Sequence, residues 1–373
     1  MFQLEFSRAI FKMVQQTYPG ALGQESGAQH HTGYVVGVDI GATNLRVALA
    51  DASGAIVARH SASTAGTRDP QMVMDMIQQG VDQLLEEKSL SRNDLRAIAA
   101  GVPGVTDVNA GVVIATSYLL GWRDIPLQAM LESALGIPGA IDNDVNFAAL
   151  GEFSAGIAQG AKDFVFLAVG TGIGAGIILN GAPFRGMDWT AGEIGYMLVP
   201  GTQEEPAGLG EPGALESLAG GEGIRNQWMR AWGPEKTRLP KELTTTQIFD
   251  HAMQEDGDPL ALAMLQQSAR LLACALFNVS LVLSCPLFVL GGTVGLHPAL
   301  SNALQAALRQ RAGRAHCQVI CSVLGADAQL YGAIRMALDT AAASQSRAGL
   351  QKPTTRNAHP KKTAQTTDME RMI

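Results

Sequence analysis

Residues 35–49 read VVGVDIGATNLRVAL, an apolar run, a glycine-containing turn and a second apolar run. Two such runs joined by a short turn predict a β-hairpin. Asp39 ends the first run, where a buried strand tolerates a charge only if that charge has a partner. Gly41 lies in the turn and lacks the side chain that would keep an anion away from the backbone N–H groups. The stretch therefore predicts a hairpin that binds phosphate.

The same pattern recurs later in the chain. Residues 164–179 read FVFLAVGTGIGAGIIL, again two apolar runs around a glycine-rich turn, and Gly172 aligns with Gly41. Each stretch alone is also compatible with an ordinary tight hairpin. Two copies together predict two related halves whose loops face each other across a cleft and bind the phosphates of a nucleotide from both sides.

The composition describes a folded protein with a modest acidic charge. The chain has 373 residues, of which 47% are hydrophobic and 16% charged, so it is long enough for two domains and too apolar to be disordered. A net charge of −7 lacks the basic surface that a general nucleic-acid-binding protein needs. We therefore expect no nucleic-acid partner.

The cysteines and the apolar segments favour a cytoplasmic protein. The most apolar stretch, 271–290, is interrupted by polar residues and by Pro286, and the first residues show no secretory signal. We therefore expect no membrane partner. The cysteines lack paired C-x-x-C spacing and are predicted to be buried thiols in a reducing compartment: Cys274, Cys285, Cys317 and Cys321.

The order of predicted elements gives the domain organisation. We expect a peripheral leader at 1–33, a small N-terminal α/β domain at 34–145 and a larger α/β domain at 146–326. A helix at about 327–342 is expected to pack back on the first domain. The polar, basic residues 344–373 are expected to form a disordered tail.

A series of motifs resembles the ROK family of bacterial sugar kinases and repressors, within the actin, hexokinase and Hsp70 superfamily. They lie within residues 34–342 and read, in order, DIGATNLR, GVPG, GWRDIPL, DNDVNFAALGE, GTGIGAG, AGEIGY, GALES and VLGG. One glycine loop alone would be weak evidence, but this many motifs in one order is strong. The resemblance implies an α/β fold with two ribonuclease H-like (actin-like ATPase) domains flanking a nucleotide and sugar cleft.

The acid of the family's N-D motif corresponds to Asp144, which the resemblance implies is the general base. Transfer of a phosphoryl group to a sugar hydroxyl needs a carboxylate that accepts the hydroxyl proton. Asp144 follows a buried strand at the start of a predicted helix, whose N-terminus would stabilise the anion. The alternative is a helix N-cap without a catalytic role. Asn143 would bind sugar hydroxyls, Asp142 is expected to be a strand-end or capping residue, and Asn146 is equally compatible with a structural role.

Glu193 and Glu216 match the glutamates with which the family binds sugar hydroxyls. A carboxylate accepts a hydrogen bond on each oxygen, which suits neighbouring hydroxyl groups. The alternative for each is a solvated surface glutamate. Gly104 would line the same cleft, and Trp122 would either line it or belong to the core.

The resemblance places ATP between the two hairpins and a third glycine turn. Asp39 would face the phosphates through Mg²⁺ and its waters, because the metal offsets the phosphate charge. Gly291 and Gly292 would border the adenosine. The residues implied to offer hydroxyl and backbone N–H groups to the phosphates are Gly41, Thr43, Asn44, Thr171 and Gly172.

The chain departs from the family at its structural zinc site. Family kinases commonly carry E-x-G-H followed by C-x-C-G-x-x-G-C-x-E, whose histidine and cysteines bind zinc. Tyr118 also replaces an asparagine near the sugar, so the identity of the sugar stays open. We expect no zinc site, because the ligand positions hold Tyr196, Ala207, Leu209 and Ala214.

These features predict an ATP-dependent hexose kinase that phosphorylates glucose at its 6-hydroxyl, with a homodimer implied by the family. Other hexoses, N-acetylated hexosamines and polyphosphate as donor stay open. The alternative is a catalytically weak sugar-binding regulatory or sensor protein. A DNA-binding repressor is disfavoured, because the residues before Tyr34 lack a two-helix pattern followed by a basic wing.

Overall fold

The computed structural model describes residues 33–67, 69–116, 119, 121–202, 211–311 and 317–350. The predicted leader, apart from Gly33, and the tail from residue 351 onward lie outside the described residues. Within them the chain forms two five-stranded sheets and one three-stranded sheet.

The first sheet contains the first predicted hairpin. In chain order the strands of this half are β1 (Tyr34–Ile40), β2 (Asn44–Asp51), β3 (Ile56–Ser63), β4 (Leu95–Val102), β5 (Val105–Asp107), β6 (Val112–Ala115), β7 (Arg123–Ile125) and β8 (Gly139–Asn143). The sheet order is β3-β2-β1-β4-β8, and β5, β6 and β7 form the three-stranded sheet. β1 and β2 pair antiparallel, with Asp39 opposite Arg46, whereas β1, β4 and β8 run parallel.

The second sheet repeats this arrangement around the second hairpin. Its strands are β9 (Phe164–Val169), β10 (Ile173–Leu179), β11 (Ala182–Pro183), β12 (Leu287–Gly291) and β13 (Gln318–Cys321). The order β11-β10-β9-β12-β13 again places an antiparallel hairpin next to two parallel strands. Gly41 and Gly172 lie at the equivalent turns. The prediction of two related strand–loop–strand units is therefore confirmed.

Helices cover the faces of both sheets. In chain order they are α1 (Pro70–Glu87), α2 (Leu127–Leu135), α3 (Asp144–Ser154), α4 (Glu216–Ala219), α5 (Gly221–Ala231), α6 (Thr245–Ala252), α7 (Pro259–Leu283), α8 (Pro298–Arg309) and α9 (Ala328–Leu350). α1 packs its apolar stripe on one face of the first sheet, where Val73 and Ile77 are fully buried. Its start is defined by Asp69, whose Oδ1 accepts the backbone N–H of Gln71 at 2.9 Å.

α3 and α9 connect the two halves. From α3, Phe147 packs in the core on the other face of the first sheet, whereas Ala148 packs in the core of the second. α9 follows the second sheet in sequence but covers the first, with Leu330 and Ile334 buried there. The chain therefore passes from the first sheet to the second through α3 and returns to the first through α9.

α3 and α9 cross with their backbones in contact. A Cβ atom on Gly332 would lie 1.8 Å from the carbonyl oxygen of Phe147, and one on Gly151 would lie 2.1 Å from that of Ala328. Both distances are far below a van der Waals contact, so only glycine fits at these two positions. The crossing places the start of α3 between the two sheets.

α9 is longer than the sequence analysis predicted. It continues through Leu350, eight residues beyond the predicted end at 342, and so enters the segment predicted to be disordered. Residues 341–348 contain neither proline nor glycine, and alanine, glutamine and arginine favour helix. The polar side chains of this segment therefore belong to the exposed surface of a helix and not to a disordered tail.

One described helix, α7, is long and apolar enough to span a membrane by length and composition, and half of its most apolar window is buried inside the protein. Its buried residues, including Leu272 and Leu276, belong to the core of the second sheet. The apolar stretch 271–290 therefore comprises the second half of α7 and the core strand β12.

The cysteines are free thiols, but they differ in burial. Cys285 is buried, and burial raises the pKa of its thiol. Cys274, Cys317 and Cys321 are only partly buried, so the prediction of buried thiols was wrong in degree for these three.

Candidate active site

Asp144 lies at the junction of the two sheets. It is the first residue of α3, directly after β8 of the first sheet. The next residue, Val145, packs on β10 of the second sheet, because a Cβ atom on Gly176 would lie 2.5 Å from the Val145 carbonyl oxygen. The chain thus places this carboxyl group where the two halves meet.

Asn143, rather than Asp144, is the N-cap of α3. Its Oδ1 accepts the backbone N–H groups of Val145 at 2.8 Å and Asn146 at 3.3 Å. Its Nδ2 donates to the Gly104 carbonyl oxygen over 2.9 Å, so the structure brings these two predicted sugar residues together. The N-cap alternative for Asp144 was therefore wrong. Asn143 is already used structurally, with one amide hydrogen left for a ligand.

The carboxyl group of Asp144 is surrounded by other acids. Burial raises its pKa to about 7, and the negative charges of Asp39 and Glu193 add to this effect. The backbone N–H of Val145, which donates to Asp144 Oδ1 over 2.9 Å, opposes the rise. The backbone N–H at the start of the helix stabilises the anion, as expected, but loss of solvent and repulsion by the other acids outweigh it.

Glu193 and Glu216 lie close together on the second sheet. Burial raises the pKa of Glu193, and the charge of Glu216 raises it further. Glu216 begins α4, and its Oε2 accepts the backbone N–H of Ile173 at 2.7 Å. The structure therefore joins Asp39, Asp144, Glu193 and Glu216 into one acidic cluster, although sequence separates its ends by more than a hundred residues.

Gly192 fixes the position of Glu193. Its φ is +100°, and a Cβ atom there would lie 2.0 Å from the carbonyl oxygen of Ala175. The backbone N–H of Ala175 donates to the Gly192 carbonyl over 2.9 Å. The segment that carries Glu193 therefore lies directly on β10, and any side chain at 192 would push it away.

In the first hairpin, Asp39 is 8% exposed and paired with Arg46 of β2. Nε and Nη2 of Arg46 both donate to Asp39 Oδ2, over 2.9 and 2.6 Å. Burial raises the pKa of Asp39, and Arg46 opposes the rise. Both of these bonds end on Oδ2, so Oδ1 of Asp39 accepts neither of them.

The turn of the first hairpin is held from below by a buried threonine. Thr64 Oγ1 donates to the Gly41 carbonyl oxygen over 2.7 Å. The backbone N–H of Thr64 donates to the Thr43 carbonyl oxygen over 3.0 Å. Thr43 and Asn44 are exposed, and Asn44 Nδ2 donates to Thr43 Oγ1 over 3.0 Å. The predicted phosphate-binding side chains are therefore accessible on a rigid turn.

The second turn and the third glycine turn are neighbours. Thr171 is exposed, and its carbonyl accepts the backbone N–H of Glu222, the second residue of α5, at 3.0 Å. Gly292 has a φ of +81°, and a Cβ atom there would lie 2.4 Å from the Val169 carbonyl oxygen at the base of the second turn. Gly291 is buried against the Phe166 ring, so Gly292 is the glycine that reaches the surface.

The structure describes Trp122 and two of the four predicted zinc positions. Trp122 is 2% exposed and belongs to the core of the first sheet. At the predicted zinc positions, Tyr196 is 47% exposed and Ala214 is partly buried, whereas Ala207 and Leu209 lie outside the described residues, as does Tyr118. Within the described ranges, no three histidine, cysteine or acidic side chains are grouped so that they could hold a metal ion by themselves.

Three residues that were not predicted to belong to the site hydrogen-bond the segments that carry its side chains. Arg46, Thr64 and Arg185 each bond a predicted site segment. An arginine facing Asp39 was foreseeable, because a buried strand-end carboxylate needs a cation and a hairpin pairs it with Arg46. No local pattern marks Thr64 or Arg185, because each partner lies more than twenty residues away.

The sequence and the structure are similar to known ROK proteins. The ROK family model matches residues 35–340. A glucokinase from Halalkalibacterium halodurans is 32% identical over 268 residues, which cover 70% of this chain and 80% of the relative. Xylose repressors such as that of Caldicellulosiruptor bescii also match, at 28% identity over 50% of this chain and 46% of their own length.

Solved structures share the fold. A ROK hexokinase from Thermus thermophilus superposes with a TM-score of 0.69 at 31% identity, covering 84% of this chain and 99% of the hexokinase. A ROK family glucokinase from Streptomyces griseus, in complex with glucose and AMPPNP, gives a TM-score of 0.69 at 27% identity over 82% and 100% of the two chains. The predicted actin-like α/β fold is thereby confirmed. With the family model spanning almost the whole described region, the chain belongs to the ROK family.

Proposed function

We propose that this protein is a sugar kinase that transfers the γ-phosphoryl group of ATP to a hexose, with the 6-hydroxyl of glucose as the first acceptor to test. The observation that carries the proposal is the position of Asp144. It is a carboxyl group with a pKa of about 7, between two glycine-turn hairpins and beside Glu193. Kinase relatives and the glucose and AMPPNP complex support the sugar-kinase class.

In the proposed reaction Asp144 accepts the proton of the attacking hydroxyl group. The hydroxyl oxygen forms the new P–O bond as the bond between the β–γ bridging oxygen and the γ-phosphorus breaks, so ADP leaves. A base with a pKa near neutrality is strong enough to take the hydroxyl proton, and about half of it is still ionised at neutral pH. Glu193 and Glu216 would orient the sugar by accepting hydrogen bonds from other hydroxyl groups.

Asp39 would hold Mg²⁺ bound to the nucleotide. Magnesium is commonly bound by one or two carboxylates together with water and substrate phosphates, which fits the single carboxylate that this hairpin offers. When bound, the metal would offset the charge of the phosphates during transfer. The exposed turns at Thr43 and Thr171 would supply hydroxyl and backbone N–H groups to the same phosphates.

The experiment that tests this proposal is a coupled assay of ATP consumption against a panel of hexoses, β-glucosides and N-acetylhexosamines, without added zinc. We expect turnover on at least one hexose and formation of the sugar phosphate by mass spectrometry. A panel that shows no sugar-dependent ATP consumption overturns the kinase proposal.

The second candidate is a sugar-binding regulatory protein without turnover. The replacement of a zinc ligand by Tyr196 and the match to xylose repressors favour it. Thermal unfolding separates the two candidates. If the protein shows no kinase activity but a sugar raises its unfolding temperature, the result favours the regulatory function.

The pH dependence of activity should follow Asp144. The base works only when it is deprotonated, and its pKa is about 7. We therefore expect kcat/KM for the sugar to fall by about tenfold for each pH unit below 7 and to level off above it. A profile of kcat/KM between pH 5.5 and 9 measures this limb. A kcat/KM that stays flat down to pH 5.5 would instead indicate a base with an ordinary carboxyl pKa.

Replacing Glu193 with glutamine should weaken sugar binding selectively. The amide can accept a hydrogen bond but carries no charge, so a bond to a sugar hydroxyl worth about 1.5–3 kcal/mol becomes one worth about 0.5–1.5 kcal/mol. We expect the KM for the sugar to rise about 5- to 10-fold while the KM for ATP stays unchanged. Glu87→Gln, at an exposed end of α1, is the matched control. Equal changes in both KM values would argue against a sugar-binding role.

A further inference from the structure

A buried carboxylate next to the proposed base is paired across the two sheets. Asp142, the penultimate residue of β8, is 1% exposed. Nε and Nη2 of Arg185 donate to its Oδ2 over 2.8 and 2.6 Å. Its Oδ1 accepts the backbone N–H of Asn143 at 2.8 Å and Nδ2 of Asn146 at 2.9 Å. Asp142 thus holds the two asparagines that flank the start of α3, where Asp144 lies.

Arg185 lies just after β11 of the second sheet and also contacts the segment that carries Glu193. It follows β11, and the preceding residue, Phe184, donates its backbone N–H to the Ile177 carbonyl of β10 over 2.8 Å. The carbonyl of Arg185 accepts the backbone N–H of Ala191 at 3.2 Å. Ala191 begins the tripeptide that ends in Glu193. One residue therefore contacts both the segment of the proposed base and the segment of the proposed sugar glutamate.

This inference rests on the proposed kinase function. We propose that Arg185 is a positioning residue for phosphoryl transfer, which sets the Asp142–Asp144 segment of the first sheet against the Ala191–Glu193 segment of the second. A guanidinium is suited to this task because its planar fork fixes both the distance and the direction of its partner carboxylate. One residue, through its side chain on Asp142 and its backbone carbonyl on Ala191, would thereby hold the proton acceptor and the sugar-binding segment in register.

The pair also controls the charge around Asp144. The charged groups that act on Asp144 are Asp39 from β1 and Glu193 from the second sheet, both negative. Asp142 is two residues from Asp144, but its charge is balanced by Arg185. Removal of the guanidinium alone would add an unbalanced negative charge near the base, and removal of the carboxylate alone would add a positive one.

A double-mutant cycle tests the proposal with Arg185→Gln, Asp142→Asn and the combination of both. In Arg185→Gln we expect kcat to fall about tenfold or more, the KM for ATP to stay constant, and the acid limb of kcat/KM to move up by about 0.5–1 pH unit. In Asp142→Asn the limb should move down. In the double variant, where the charges balance again, it should return toward the wild-type position.

Two further variants control for the loss of charge and for the loss of an Arg–Asp pair elsewhere in the protein. Arg185→Lys retains the charge without the fork, so we expect the wild-type pH limb with a reduced kcat. Arg92→Gln breaks an exposed Arg–Asp pair away from the site, in which Nε and Nη2 of Arg92 donate to Oδ1 and Oδ2 of Asp82 over 2.9 and 2.8 Å, and should leave both quantities unchanged. If Arg185→Gln does not fold, Arg185→Lys and the double variant carry the test.

The outcomes separate this proposal from the function on which it rests. Folded Arg185→Gln with wild-type kcat and an unmoved acid limb overturns the positioning role, as does a loss of activity that follows only the folded fraction. Shifts of the acid limb of kcat/KM in opposite directions in Arg185→Gln and Asp142→Asn support the positioning role. A wild-type protein without hexose-dependent turnover overturns the kinase function, and the positioning role falls with it.

Discussion

Replacing Asp144 with asparagine is expected to lower kcat for the sugar by about 10²- to 10⁴-fold. The amide has nearly the same shape but cannot accept the hydroxyl proton at neutral pH. The asparagine would also remove one negative charge from the acidic cluster that contains Asp39 and Glu193. Binding of the anionic nucleotide should therefore be retained. Steady-state kinetics with the best sugar of the panel measure the loss.

The control for this prediction is an exposed aspartate, Asp256, replaced by asparagine in the same way. Thermal unfolding with and without sugar shows whether Asp144→Asn still binds its ligand. A variant that keeps sugar-dependent stabilisation and loses turnover supports the role of a base. Near-wild-type kcat would mean that another group takes the proton, with Glu193 as the first to examine.

The largest effect on stability is expected at Gly332, where α9 crosses α3. Gly332→Leu would drive a side chain into the Phe147 backbone, since even a Cβ atom would lie 1.8 Å from that carbonyl oxygen. The two helices must separate, so we expect the free energy of unfolding to fall by about 3 kcal/mol. Urea denaturation followed by circular dichroism measures it, with an unchanged m-value as evidence of a common unfolding transition.

The matched control adds the same side chain to the same helix. Ala342 lies on the exposed side of α9, so Ala342→Leu should change the free energy of unfolding by no more than about 0.5 kcal/mol. Equal effects of the two leucines would show that the backbone contact between the helices does not constrain position 332.

The parts of the fold that were predictable are those encoded by local pattern. The hairpins at 35–49 and 164–179 could be recognised because apolar runs and turn glycines are adjacent in the sequence. The end of α9 was missed because polar residues on an exposed helix and in a disordered tail look alike in composition. The polarity of residues 344–350 therefore could not decide between the two.

The candidate site was only half predictable for a related reason. Asp144 and Glu193 could be chosen from their motifs, but the pKa of Asp144 depends on Asp39, which lies more than a hundred residues earlier. The pair between Asp142 and Arg185 spans 43 positions and two sheets. Such contacts exist only once the topology has brought the halves together, so single-sequence reasoning identifies the residues but not their electrostatics.

The return of α9 to the first sheet has a consequence for synthesis of the chain on the ribosome. The face of that sheet formed by Val35, Ala48 and Ala99 is covered by Leu330 and Ile334. Translation proceeds from the N-terminus, so this face stays uncovered until the ribosome has made about 280 further residues after Ala48, up to Leu330 and Ile334. A nascent or prematurely terminated chain therefore carries an open apolar surface that a holdase chaperone can recognise. α9 therefore closes the surface of the first sheet only after the second sheet has been synthesised.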